Sequence, residues 1–441
     1  MAHDAGLAPG LAEPPVSEED AEAYVASICF KTGPPGRVGV EIERLVHAST
    51  DPRAPVPVPH LRSVLAPVLA PLGGGLPGGG TLSLEPGGQL EVSSACAQGP
   101  AELLPRSRAD LAAVDRLLGA AGLAPGTLAL DPHRPPHPSL EHPRYAAMQR
   151  YFDAEGPSGR TMMCSTVSLQ TCLEAGSTEA QARERWERLH RLLPVLVAMF
   201  ANSPFHHGRP TGWKSTRLRV WSHIDPARTA PVPMRQPGLD PAEAWARYAL
   251  DAPLMCMRVA GERAWDAPPG LTLRQWLRTG MPRRATLADV DYHLTTLFPP
   301  VRPRGFLELR AIDAQAGTEW EPAAAIITAL MDDDGAARAA DEACGALGAF
   351  EGRFDTAARW GLDNPLLATA AARCAEAAIA ALPSLGADGA GQRSATAFAE
   401  AYTFRGRCPA DARLERWQRT GELYAAPNQS PYEDPECEEA S

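Results

Sequence analysis

Three segments far apart in the sequence alternate between aliphatic residues and glutamate, and this pattern constrains the fold more than any other. They are residues 37–46 (RVGVEIERLV), 81–93 (TLSLEPGGQLEVS) and 306–311 (FLELRA). Successive side chains of a strand point to opposite faces of a sheet. We therefore predict that the first and third segments are strands and that the second is a hairpin with its turn at Pro86. The glutamates on the face opposite the aliphatic residues are Glu41, Glu43, Glu85, Glu91 and Glu308.

Capping residues and apolar periodicity predict helices between these strands. The expected helices run from Ser17 to about Phe30, from Arg108 to Ala121, from Thr178 to Phe200 with a kink at Pro194, from Thr286 to about Leu297, and onward from Asp240–Pro241 and Asn364–Pro365. A further strand is expected within residues 160–173. Strands and helices mixed in this way predict one α+β domain.

Charge and composition exclude several classes of protein. The 441 residues include 42 Lys and Arg against 53 Asp and Glu, a formal net charge of −11, which disfavours general nucleic-acid binding. No apolar run approaches the roughly 20 residues of a membrane-spanning helix, and the N-terminus lacks the pattern of a secretory signal. Nine cysteines without a C-x-x-C pair predict reduced thiols in the cytoplasm.

Local composition predicts the domain boundaries. Residues 1–16 are rich in proline and glycine, and residues 426–441 are acidic, so both ends are expected to be disordered. Residues 17–425 are expected to form a single catalytic domain. The sequence carries no signal for the oligomeric state.

If the three segments join one sheet, their glutamates converge on one surface. Crowded carboxylates repel one another and take up protons unless cations neutralise them. Oxygen ligands suit hard ions, so Mg²⁺ or Mn²⁺ is expected rather than zinc. Lys31 and Lys214 are the only lysines and no P-loop motif is present, so phosphate chemistry would depend on metal ions and arginines. The alternative is an ordinary antiparallel sheet with a solvated acidic face.

Several blocks occur in the order found in a known family, namely VGVEIE, SLEPGGQLEVS, PRYAAMQRYF, ANSPF, STRLRVW and GFLELRAID. Across residues 20–420 the chain resembles the plant-type glutamate–cysteine ligases, and most closely the actinobacterial enzymes that make γ-glutamylcysteine for ergothioneine. The resemblance implies a glutamine-synthetase-like fold, with helices on the outer face of a curved antiparallel sheet that holds ATP and Mg²⁺. It also implies a ligase that joins L-glutamate to L-cysteine through a γ-glutamyl phosphate.

The resemblance assigns metal binding to the same five glutamates. Glu41 and Glu43 match the family's G-x-E-x-E strand, and Glu85 and Glu91 match the carboxylates of its hairpin. Glu308 matches the later L-E-x-R strand. The resemblance therefore implies that the acidic face is a metal site.

Other residues of the matched motifs are implied to bind substrates. Arg310, beside Glu308, is a catalytic candidate for holding a phosphate or a carboxylate. Arg217, the second catalytic candidate, matches the arginine of the family's S-Y-R segment, where a guanidinium would grip a substrate carboxylate with two hydrogen bonds. Arg144 and Tyr145 fall in the P-R-W/Y motif, and Gln170 falls in the V-Q-V-N-L-D motif.

The chain departs from the family pattern near the expected amino-acid site. The last motif reads LQTCLE, so Cys172 replaces the usual asparagine and Glu174 the usual aspartate. Ser165 stands where the plant enzymes have arginine, Thr216 replaces a tyrosine, and His206–His207 follow ANSPF. These changes leave open a ligase with another amine acceptor, a two-metal hydrolase or an inert relative. No Cys–His motif supports a nucleophile at Cys172, so we expect it to behave as a small apolar residue.

Overall fold

A computed structural model gives the structure of residues 14–33, 36–69, 75–232, 240–259, 264–347 and 353–424. The predicted disordered segments thus lie outside the described residues, except for residues 14–16. The strands are β1 (Arg37–Arg44), β2 (Val46–Ala48), β3 (Thr81–Leu84), β4 (Leu90–Ser93), β5 (Ala97–Gln98), β6 (Leu123–Pro125), β7 (Ser168–Glu174), β8 (Phe205–His206), β9 (Arg209–Pro210), β10 (Val301–Pro303) and β11 (Phe306–Asp313).

The predicted strands join one antiparallel sheet. Its order is β10-β11-β7-β1-β4-β3, and β5 pairs with the start of β1. Every pairing in this sheet is antiparallel. The three segments of the alternating pattern therefore share one sheet, with β7 between β1 and β11, which confirms the predicted fold class.

Helices make up most of the remaining described chain. They are α1 (Glu18–Cys29), α2 (Val58–Leu65), α3 (Gly99–Ala120), α4 (Pro143–Asp153), α5 (Ser158–Ser165), α6 (Glu179–Met199), α7 (Thr216–Ser222), α8 (Pro226–Thr229), α9 (Pro241–Asp251), α10 (Leu273–Thr279), α11 (Leu287–Leu294), α12 (Trp320–Asp332), α13 (Asp334–Gly345), α14 (Arg353–Trp360), α15 (Pro365–Ala381), α16 (Gly389–Ala401) and α17 (Pro409–Thr420). None of the helices in these ranges is long and apolar enough to cross a membrane.

The aliphatic face of the sheet forms the main core. Val38, Val40 and Ile42 of β1 are at most 2% exposed. Helices α3 and α12 pack against β1, and α6 packs against β11. The predicted apolar stripe of α6, from Trp186 to Phe200, is fully buried. Because the helices cover the aliphatic face, the glutamates lie on the opposite face.

The hairpin turn between β3 and β4 is held against the segment that leads into β7. Gly88 has φ +86°, a conformation that favours glycine. A Cβ atom at Gly87 would lie 2.2 Å from the carbonyl oxygen of Cys164, so only glycine fits there. Gln89 Nε2 donates to the carbonyls of Met163 and Thr166 at 3.1 and 3.0 Å. The turn of the EPGGQLE motif thus packs against residues 163–166, and this packing positions Glu85 and Glu91.

Several predicted helix boundaries were wrong, although the helices exist. Helix α3 begins at Gly99, nine positions before the predicted Arg108, and Pro105 lies inside it. Helix α11 ends at Leu294, before the predicted Leu297. Ser17 caps α1 as predicted.

Candidate active site

Strand register brings the acidic residues of the polar face side by side. Glu43 on β1 pairs with Glu91 on β4, and Glu91 pairs with Ser83 on β3. On the other side of β1, Glu41 is paired with Gln170 on β7. Side chains in register on one face lie within contact range, so the polar face is continuous across these strands.

Glu308 is the fully paired carboxylate of the cluster. Arg302 on β10 donates to it through Nε at 2.5 Å and Nη2 at 3.1 Å. Arg304 and Arg310 approach it at 3.5 and 3.3 Å. Although burial opposes ionisation, these guanidinium groups hold the pKa of Glu308 well below its ordinary value. Glu308 is therefore an ionised partner of arginines in this structure.

Two other glutamates, Glu41 and Glu85, are electrostatically unsatisfied. Burial, followed by the charges of Glu308 and Glu91, raises the pKa of Glu41. Burial, with the charges of Glu91 and Glu43, raises the pKa of Glu85 to about 8. Among the described residues, neither Glu41 nor Glu85 has a side-chain hydrogen bond or ion pair. These are the carboxylates that a bound cation would stabilise.

Glu43 is held in place by β7. Its carboxylate accepts hydrogen bonds from the backbone N–H of Ser168 and from Nε2 of Gln170, both at 2.7 Å. Burial nevertheless raises the pKa of Glu43, against the opposing charges of Arg217 and Arg310. Glu43 is thus oriented by hydrogen bonds but is not neutralised.

Within the described chain, one group of side chains has the spacing of a metal site. One ligand atom from each of Glu41, Cys172 and Glu308 lies within 4.8 Å of the other two. The carboxylates of the face fit a hard ion such as Mg²⁺, whereas the thiol of Cys172 does not. Burial, with the charges of the two carboxylates, raises the pKa of Cys172 well above its ordinary value. The other three predicted ligands flank this group.

Gln170 connects the acidic residues to the catalytic candidate Arg310. Gln170 Oε1 accepts a hydrogen bond from Arg310 Nη1 at 2.5 Å, while Gln170 Nε2 donates to Glu43. The Nε–H of Arg310 is buried and has no partner within the described part of the chain. Arg310 therefore retains a donor for an anion, and the structure brings it together with Gln170, a contact that the sequence did not predict.

Arg217 lies in the interior, next to the site. The STRLRVW segment forms helix α7, and Arg217 is 2% exposed. Its Nη2 donates to the Arg310 carbonyl at 2.9 Å and its Nη1 to the Ala311 carbonyl at 3.3 Å. The distance from Nη1 of Arg217 to Oδ1 of Asp313 is 3.6 Å. In this state the guanidinium stabilises β11, and its predicted role toward a substrate carboxylate stays a prediction.

Arg144 and Tyr145 are neighbouring residues of α4 with different surroundings. Arg144 donates to the hydroxyl and the carbonyl of Thr295 at 2.8 and 3.0 Å and stacks over Tyr292. Burial raises the pKa of Tyr145 to about 12, and the charge of Glu85 adds to this shift. Tyr145 is thus close enough to the acidic cluster for the charge of Glu85 to affect its pKa. The guanidinium of Arg144 instead donates its hydrogen bonds to Thr295.

Two groups that organise the site were not predicted from the sequence. Arg302 and Arg304 neutralise Glu308, and the only sequence signal was their alternation just before β11. Asp313 was also missed. Its carboxylate accepts hydrogen bonds from the hydroxyl of Ser203 at 2.7 Å and from that of Ser215 at 2.9 Å. The ANSPF block therefore has a structural role, since Ser203 belongs to it.

Comparison with known proteins identifies the family. The family model for glutamate–cysteine ligase family 2 matches residues 37–429. The chain is 38% identical over 379 residues to the glutamate–cysteine ligase EgtA of Mycolicibacterium smegmatis, covering 83% of this chain and 85% of that enzyme. It is 31% identical over 349 residues to the chloroplastic glutamate–cysteine ligase of Arabidopsis thaliana, covering 74% of this chain and 65% of the plant enzyme.

A solved structure shows the same fold. The glutamate–cysteine ligase of Francisella tularensis, in complex with AMP, superposes with a TM-score of 0.50 at 11% identity. The superposition covers 89% of this chain and 86% of that one. The match to the family model spans most of the sequence and agrees with the resemblance carried by its motifs, and the chain therefore belongs to glutamate–cysteine ligase family 2.

Proposed function

We propose that the protein is an ATP- and Mg²⁺-dependent ligase that joins the γ-carboxylate of L-glutamate to the amino group of L-cysteine. The observation that carries the proposal is the polar face of the sheet, where five glutamates lie with Arg302, Arg304 and Arg310 in a chain of this family. The resemblance to the actinobacterial enzymes supports a further proposal, that the product enters the biosynthesis of ergothioneine or a related low-molecular-weight thiol.

Glu41 and Glu85 are the residues best suited to hold the divalent ions. Both have raised pKa values, and neither forms an ion pair with a cationic side chain of the described residues, so ion binding would remove an existing repulsion. Glu43 and Glu91 lie opposite each other on β1 and β4. A bound Mg²⁺ would neutralise and position the transferring phosphoryl group, which is most of what phosphoryl transfer requires.

Arg310 is placed to stabilise negative charge during the reaction. Gln170 and Glu308 fix its Nη1, which leaves the buried Nε–H for an oxygen of the nucleotide or of the substrate carboxylate. Preorganised donors of this kind act strongly in a water-poor site. Transfer of the γ-phosphoryl group to glutamate gives an acyl phosphate. The amine of the acceptor then forms the amide bond, and phosphate leaves.

ADP release is the measurement that tests the proposal. The purified protein with ATP, Mg²⁺ and glutamate should release ADP when cysteine is added and should form γ-glutamylcysteine. Turnover with another amino acid but none with cysteine would favour the runner-up, a ligase with a different acceptor, which is motivated by Cys172 in place of asparagine. Hydrolytic turnover without ATP would indicate a two-metal hydrolase. Nucleotide binding without any turnover would indicate an inert relative.

A further inference from the structure

Cys172 lies inside the acidic cluster, at the position where the family usually has asparagine. In the sheet it pairs with Glu308 on one side and with Gly39 on the other. Its sulfur and one oxygen each of Glu41 and Glu308 lie within 4.8 Å of one another. Three ligand atoms therefore converge from three adjacent strands, and Gly39 has no side chain with which to cover the sulfur.

This donor set differs in chemistry from an oxygen-only magnesium site. Mg²⁺ takes carboxylate, carbonyl and water oxygens, whereas thiolate ligands select softer ions of the zinc class. Three protein ligands with one position left open is an arrangement in which zinc is bound at reactive sites. Asparagine at position 172 would offer an amide oxygen, so the cysteine changes the kind of ion that this corner of the site prefers.

The two carboxylates of this donor set differ in their protein partners. Arg302, Arg304 and Arg310 all form ion pairs with Glu308. Because Glu308 already pairs with these arginines, an ion would bind mainly to Cys172 and Glu41. Glu41 has no side-chain partner among the described residues and is available for this role.

We propose that Glu41, Cys172 and Glu308 form a mixed thiolate–carboxylate site that binds zinc-class divalent ions such as Zn²⁺, Co²⁺ and Cd²⁺. Binding forms a sulfur–metal bond and releases the thiol proton to solvent, with no change of oxidation state. On the proposed function, such an ion would occupy the magnesium region and inhibit the ligase. The binding itself does not depend on that function.

Cadmium titration of the reduced full-length protein tests the site directly, because cadmium–thiolate bonds absorb in the ultraviolet. One equivalent of Cd²⁺ should produce the charge-transfer band in the wild type, and Cys172→Ser should lose that band. Glu41→Gln should weaken the affinity about tenfold or more. The matched control is Cys96→Ser, which removes an exposed thiol and should leave the stoichiometric band intact.

Two outcomes would overturn the proposal. One is a band of equal strength and affinity in Cys172→Ser, and the other is a wild type that shows no stoichiometric band. Thermal unfolding monitored by circular dichroism checks that the serine variant is folded. If it is not, Cys172→Asn, which carries the family's residue, replaces it in the same titration with the same expected loss.

An inhibition assay separates this inference from the proposed function. Zn²⁺ should inhibit Mg²⁺-dependent ADP release by the wild type, and Cys172→Asn should require at least about tenfold more Zn²⁺. If cadmium binding depends on Cys172 but the protein releases no ADP, the proposed metal site stands and the proposed ligase function is wrong. Ligase turnover without a Cys172-dependent band would reject the site and retain the ligase.

Discussion

At the scale of single residues, burial and neighbouring charges give chemically identical glutamate side chains different pKa values. Three guanidinium groups keep Glu308 ionised, whereas Glu41, Glu43 and Glu85 have raised pKa values because they are buried with too little compensating charge. An uncompensated carboxylate gains most from a bound cation. The acidic face thus contains one carboxylate that orders arginines and several that are suited to metal binding.

Removing one carboxylate charge at a time tests this division. Glu41→Gln and Glu91→Gln keep the side-chain shape, and each should lower the ligase rate at least about 100-fold, on the order of 3 kcal/mol of transition-state stabilisation. The rate of ADP release is measured at saturating and at limiting Mg²⁺. The control is Glu155→Gln, at an exposed position, which should retain full activity. Near-normal rates for both site variants would mean that the acidic face holds no metal ion that the reaction needs.

The stability of the metal-free protein should depend on pH through Glu85. Its pKa is raised in the folded state to about 8 from an ordinary value of 4.5, so between these values the folded protein holds more protons than the unfolded chain. The free energy of unfolding should then fall as pH rises from about 4.5 to about 8. Urea unfolding at several pH values with EDTA measures the slope, and Glu85→Gln should flatten it. An equal slope in wild type and variant would contradict the assignment.

Arg217→Lys should destabilise the protein. Lysine cannot reproduce two hydrogen bonds from one planar group to the carbonyls of Arg310 and Ala311. We expect a loss of about 3 kcal/mol in the free energy of unfolding, measured by urea denaturation. The KM for glutamate is measured on the same samples. Unchanged stability with a KM raised more than about tenfold would instead support the role of substrate anchor implied by the resemblance.

At the scale of elements, the hairpin turn is the part that tolerates least change. Gly87→Ala would place a methyl group 2.2 Å from the carbonyl oxygen of Cys164, so the turn must move and carry Glu85 with it. We expect a loss of about 2 kcal/mol or more in stability and weaker activation by Mg²⁺, measured by thermal unfolding and by ADP release. Gly119→Ala is the control, since its Cβ would meet nothing within 4 Å. If both variants behave like the wild type, the turn is not docked as described.

The elements also show what local patterns predict well. Strict alternation predicted β1, β3, β4 and β11, because a strand with one buried face must alternate. Capping residues located the starts of α1, α9 and α15. Local pattern failed at the start of α3, because Pro105 lies inside the helix. Pro100, in the first turn, is compatible with a helix start. Tertiary packing maintains a helix that the local sequence disfavours.

At the scale of the whole molecule, the C-terminal helix is tied to the end of the sheet. Arg413 on α17 pairs with Glu319 at 2.8 Å, and Glu319, which is fully buried, also accepts from Tyr402. Arg413 Nε donates to Asn202 Oδ1 at 3.3 Å. The buried ion pair between Arg413 and Glu319 therefore connects α17 to the residues that follow β11.

Arg413→Met should unfold the protein more easily, because it leaves the Glu319 carboxylate buried without its cation. We expect a loss of about 3 kcal/mol or more in the free energy of unfolding, measured by urea denaturation. Arg407→Met, which removes a more exposed ion pair with Glu415, should cost less than about 1 kcal/mol. Equal losses in the two variants would show that burial of the pair is unimportant.

The strand pattern, the acidic face and the family could be predicted from the sequence without the structure. These features are local or lie in motifs of contiguous residues, so they can be seen without knowing which strands are neighbours. Three other features follow from tertiary packing alone: the arginines that neutralise Glu308, the burial of Arg217 on a helix, and the position of Cys172 beside Glu41. Each of these depends on the register between segments that are up to hundreds of positions apart. Long-range packing sets that register, and residue spacing along the chain does not record it.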